Sequence, residues 1–100
     1  SMGIMRAYMT IPCDMYFTIE TKAKRLVTML LRIYKAEDEK VNEALEFIEK
    51  IDFDSDFGNE TFSFSTNKAW TIKVLGNVTW CKVNASSGNE GTHQLYSKTR

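Results

Sequence analysis

The chain has 100 residues, 43% hydrophobic and 26% charged, with thirteen Lys+Arg against thirteen Asp+Glu. That length fits one small domain and excludes two, and a formal net charge of zero excludes a polybasic nucleic-acid coat or a highly charged disordered segment. Roughly two-thirds of the unfolded surface is buried at this size, so twelve aromatics and ample Ile, Leu, Val and Met support a core without metals or disulfides.

Ser1-Met2-Gly3 has the pattern of an expression scar before a start near Met2, and no basic-then-apolar signal pattern follows. From Met5 to Ile19 every odd position is apolar, and the even positions Arg6, Thr10, Asp14, Thr18 and Glu20 are polar, which predicts β-structure with one buried face. A straight strand of that length would run about 50 Å, too long for the domain, so a break or bend is expected near Pro12-Cys13-Asp14.

From Thr21 the spacing turns helical. Ala23, Leu26, Val27, Leu30, Ile33 and Tyr34 form one stripe behind a Thr cap, and Val41, Ala44, Leu45, Ile48 and Ile51 form a second. Lys35 would close the first helix and Glu37, Asp38 and Glu39 open the next, each sign suiting the helix dipole, so two helices are favoured over one.

The second half returns to strands. Phe62 and Phe64 alternate with serines, Asn67-Lys68 marks a turn, and Trp70, Ile72 and Val74 lead to Gly76-Asn77, a good two-residue hairpin loop. That hairpin would set Leu75 against Val78 and Ile72 against Cys81. Trp70, Ile72, Val74, Cys81 and Val83 would then face the core, with Thr71, Lys73, Leu75, Val78, Trp80 and Lys82 on the other face. The fold expected is therefore α+β: an antiparallel sheet of four to five strands, from the N-terminal β segment and the C-terminal meander, packed by one or two central helices. Residues 4–85 would form this single domain, and 86–100 a polar tail unless His93 to Lys98 adds an edge strand.

Splitting the charge by segment is the informative step: residues 37–60 hold ten acids and two bases, the rest three acids and eleven bases. An acidic run is commonly a solvated face, but this one predicts a surface that steers association with a basic protein partner, carried by Glu43, Glu46, Glu49, Asp52, Asp54 and Asp56. The last three have the spacing of a calcium loop. Phe57 and Ser63 stand where such a loop needs Gly and a bidentate Glu, so no metal is expected.

The opposite sign gathers at Lys22, Lys24 and Arg25, against the dipole of the expected helix, and with Lys73, Trp80 and Lys82 it offers an alternative, nucleic-acid-binding surface. On the face turned from the core, Trp80 would be either an interface anchor or a residue covered by a helix. Cys13 and Cys81 make no metal-binding pair and are expected as buried thiols. Three N-glycosylation acceptors, at Asn59, Asn77 and Asn84, against about one by chance keep a secreted, bridged and glycosylated domain as a second alternative to an intracellular, cytoplasmic one.

Catalysis has little support, because His93 is the only histidine and falls in the expected tail. No apolar run approaches the length of a membrane span, and no cofactor is indicated. The function expected is a non-enzymatic protein-interaction or inhibitor module, with the size and charge polarisation of small phage- or virus-encoded modulators of host machinery. Homo-oligomerisation is the further association that a two-signed chain allows.

Overall fold

Residues 26–36, expected as a helix, form an eleven-residue strand in which Val27, Met29, Leu31, Ile33 and Lys35 alternate as buried positions. Six of the eight residues from Leu26 to Ile33 are apolar, enough for both periods to fit. The β-branched Val27, Thr28 and Ile33 suit a strand, and its inward face takes every odd position. The helical stripe is therefore half right by coincidence: Val27 and Ile33 are core, while Leu26 is 65% exposed.

The computed structural model describes residues 9–20, 24–56 and 59–99. The strands are β1 (Thr10–Glu20), β2 (Leu26–Ala36), β3 (Ile48–Asp56), β4 (Asn59–Thr66), β5 (Trp70–Val74), β6 (Cys81–Val83), β7 (Ser87–Gly88) and β8 (Gly91–Thr99). They make two antiparallel sheets, ordered β1-β2-β5-β7 and β3-β4-β8-β6. The α+β expectation is thus overturned: 3-10 turn Ala44–Glu46 is the only helical element among the described residues. In the second expected helix Ala44 and Ile48 are buried, but Val41 and Leu45 are exposed. Glu43 before the turn is extended and makes no side-chain cap, so nothing there nucleates a longer helix.

The expected break at Pro12 is also absent. β1 pairs with β2 in one unbroken register, from Thr10↔Ala36 to Glu20↔Leu26, and Pro12 is tolerated because β1 is an edge strand. Residues 5–8 of the alternating pattern lie outside the described residues.

Beyond β4 every connection changes sheet, as does the connection from β2 to β3. This is what defeats the expected Trp70–Val83 hairpin. Gly76 and Asn77 do adopt positive φ, 84° and 52°, as such a turn requires, but the chain leaving it crosses to the other sheet. β5 pairs instead with β2 and β7, and β6 pairs with β8. The face assignment nevertheless survives for Trp70, Ile72 and Cys81, all buried, because alternation holds whichever strand is the neighbour. Residues after Ala85, expected as a tail or an edge strand, supply β7 and β8, and β8 lies inside its sheet between β4 and β6.

The core lies between the sheets. Three cross-strand rows, Cys13–Ile33–Trp70, Met15–Leu31–Ile72 and Phe17–Met29–Val74, line the first. Phe62, Phe64, Leu95 and Cys81 answer from the second. Phe17 meets Phe62 edge-on at 5.7 Å and Phe64 meets Trp70 at 4.8 Å, geometries that aromatic quadrupoles favour. Gly88 lies directly against Trp70: a Cβ there would come within 2.5 Å of the indole ring.

Candidate protein-interaction surface

The acidic segment begins where β2 ends. Glu37 and Asp38 are exposed in the turn, Glu43 and Glu46 are exposed around the 3-10 turn, and Glu49 is exposed on β3. Asp52, Asp54 and Asp56 continue at alternate positions of β3, opposite Ser63, Thr61 and Asn59. This corrects the picture of a tight acidic loop, since the three aspartates belong to an extended strand. β3 is also the outer strand of its sheet, so the acids run along one connection and then along one sheet edge.

A polar knot anchors the connection. Lys35 is buried at 2% exposure, and its Nζ donates to the Glu39 carbonyl at 2.7 Å, so it caps the turn that follows β2 instead of a helix. The Glu39 carboxylate accepts from the Ala36 amide at 3.0 Å and from Lys68, whose ammonium lies 5.5 Å from the centre of the Phe47 ring. The Lys68 hydrogen bond, followed by that from Ala36, lowers the Glu39 carboxyl below its ordinary range. Glu39 is therefore tied into the fold, and the exposed acids around it are presented from a fixed base. Among them lie Leu45, 60% exposed, and Val41, 39% exposed. Sequence reasoning missed both because helical spacing assigned them to the core; it missed the Lys35 and Lys68 contacts because only the tertiary fold joins those residues.

The basic and aromatic candidates are not brought together on one sheet face. Lys73 is exposed on β5 in the first sheet, while Lys82 is exposed on β6 in the second. Trp80 is half-buried, packs against the core, and carries the Arg25 guanidinium 4.2 Å from its ring centre. Lys24 pairs with Glu20 at 3.9 Å on the surface, at a positive φ of 63°. Among the described residues no helix begins there, so the expected conflict with a helix dipole does not arise at Lys24 or Arg25; Lys22 lies outside the described residues.

Cys13 and Cys81 are both buried thiols, so the bridge of the extracellular alternative is not formed. Asn77 and Asn84 are both exposed. His93 is built into the fold: its ring packs against Trp70 and Phe64, and its Nε2–H donates to the Asn89 carbonyl at 2.7 Å, which also accepts from the Trp70 indole. Beside it an open hollow of about 470 Å³ is lined by Asn67, Lys68, Ala69, Asn89 and Glu90, but its cation is already held by Glu39. Among the described residues, no group of three or more His, Cys, Asp or Glu could hold a metal ion. No described helix is long and apolar enough to cross a membrane.

No protein family, curated protein or solved structure matches this chain.

Proposed function

We propose that this protein is a non-enzymatic interaction module that docks its acidic segment, residues 37–60, on a basic surface of a protein partner. The observation that carries the reading is the exposure of Leu45 among Glu43, Glu46 and Glu49 on a connection held at its base by Lys35, Glu39 and Lys68. Carboxylates of one sign accelerate encounter and select a basic partner, while an apolar side chain at their centre supplies contact area that water does not compete for. A pre-ordered connection reduces the entropy lost on docking.

The test compares wild type with the E43K/E46K/E49K triple variant as affinity baits in lysate of the source cell or its host, at graded salt. A protein retained by wild type at low salt, released as salt rises and lost with the triple variant supports the reading. Equal retention by both baits overturns it, as does oligonucleotide binding that falls steeply with salt.

A further inference from the structure

The first sheet has a free edge whose chemistry is set by hydrogen-bond parity. Within β2 the Tyr34 amide donates to Ala69 at 3.0 Å and the Thr28 carbonyl accepts from Leu75 at 2.9 Å, so even-numbered residues of β2 turn their main-chain groups toward β5. Their partners across β1 are Pro12 and Thr18, which makes these non-hydrogen-bonded pairs. Even-numbered residues of β1 therefore direct amides and carbonyls away from β2. The odd set confirms the parity, since the Met9 carbonyl accepts from Glu37 on the β2 side at 3.0 Å.

Among the described residues no strand pairs with this outer side. Pro12 falls there, so its missing amide costs the β1–β2 ladder nothing, but Asp14, Tyr16, Thr18 and Glu20 still present donors and acceptors at strand spacing. Water can solvate such a row, but another extended segment matches all of it at once. The remaining edges differ. β6 and β7 have three and two residues, and β3 carries a register shift at Ile48/Lys50 and four acids, Glu49, Asp52, Asp54 and Asp56.

We infer that the occupant is a second copy of this chain, its β1 pairing antiparallel with the first about a twofold axis at Tyr16. Charge, proline and ladder length select this arrangement, since an axis at Thr18 meets neither a like charge nor Pro12 but pairs only Tyr16, Thr18 and Glu20 within β1. Pairing β1 with a partner's β3 would set Asp14 and Glu20 among that strand's acids, so the open-ended head-to-tail assembly is disfavoured. Among self-pairings, an axis at Asp14 opposes Asp14 to itself, an axis midway between Tyr16 and Thr18 opposes Asp14 to Glu20, and an axis at Met15 places Pro12 opposite Thr18 inside the ladder. The axis at Tyr16 opposes Asp14 to Thr18 and Tyr16 to Tyr16, and leaves each Pro12 at an end against Glu20. It satisfies about eight main-chain hydrogen bonds and joins the two sheets into one of eight strands. Tyr16, 61% exposed, meets its symmetry mate at the centre, and a formal net charge of zero imposes no overall repulsion between copies. The dimer is argued from the strand edge alone and does not depend on the function proposed for the acidic segment, whose 3-10 turn packs against β1.

The test is sedimentation equilibrium of the full chain over a concentration series, with two variants. Wild type should dimerise. Y16P removes an outward-facing amide and the exposed phenol ring but no hydrogen bond of the β1–β2 ladder, so it should keep the far-ultraviolet circular dichroism of wild type while weakening dimerisation about tenfold or more. Y16C should form a disulfide-linked dimer under mild oxidation and T18C should not, because only position 16 meets itself. A monomeric wild type overturns the inference, as do a dimer that Y16P leaves unchanged and cross-linking through T18C in place of Y16C.

Discussion

The Arg32 guanidinium grips the Asp14 carboxylate through two hydrogen bonds, Nε to Oδ1 at 2.6 Å and a terminal nitrogen to Oδ2 at 2.9 Å, across the pairing of β1 with β2. The contact lies on the outer, solvated face of the first sheet. It lowers the Asp14 carboxyl below its ordinary 3.8, principally through the Arg32 hydrogen bond.

Acid should therefore loosen both this hairpin and the turn at Glu39, whose carboxyl Lys68 holds below its ordinary 4.5. A depressed folded-state value means that the stabilisation is complete above the ordinary value and is lost as pH falls through the depressed one. The melting temperature should be nearly level at neutral pH and fall below about pH 4, and the D14N/E39Q variant should show a lower plateau and a shallower fall. Thermal denaturation monitored by circular dichroism across the series checks this.

Lys35 is buried for its stem as much as for its charge. K35A, which removes both stem and donor, should cost about 2–4 kcal/mol, whereas K35M, which keeps an unbranched apolar stem, should cost about 1 kcal/mol or less. Urea denaturation of the two variants separates these contributions.

Gly88 is small because Trp70 occupies the space. G88A should destabilise by about 1–3 kcal/mol and shift the tryptophan emission spectrum, since the ring must move away from a new methyl group or the β5–β7 contact must open. Chemical denaturation followed by fluorescence reads both effects.

Leu45 should behave as a contact residue and not as core. L45A should change stability by less than about 0.5 kcal/mol, while A44L, at the buried neighbour, should cost about 1–3 kcal/mol by overpacking. Comparing the two melting curves distinguishes this arrangement from the helical one, in which both positions would be core.

Much of the buried set was legible in the sequence, but the architecture was not. Cys13, Ile19, Phe62, Phe64, Trp70, Ile72 and Cys81 stand out from alternation alone, because period-2 burial requires only that each strand have one inward face. Leu26 to Ile33 misleads for the opposite reason: a central strand with apolar residues on both faces matches a helical stripe equally well. Gly76-Asn77 shows a second limit. Its positive φ angles were readable, but a local turn does not reveal that the following residues pair across the other sheet with β8, contacts set by residues far along the chain. Of the candidate surface, the run of acids was plain from composition. Its apolar centre at Leu45 and its anchor on Lys35 and Lys68 depend on burial and long-range contact, which spacing alone does not encode.

The most direct measurement is the affinity of the purified captured partner for three chains: wild type, E43K/E46K/E49K, and K73E/K82E as a charge reversal elsewhere on the surface. If the acidic connection is the docking surface, the first reversal should weaken binding about a hundredfold or more, mainly through slower association, and the second should leave affinity within about threefold of wild type. Equal affinities for wild type and the acidic reversal, or a greater loss with K73E/K82E, would contradict the account.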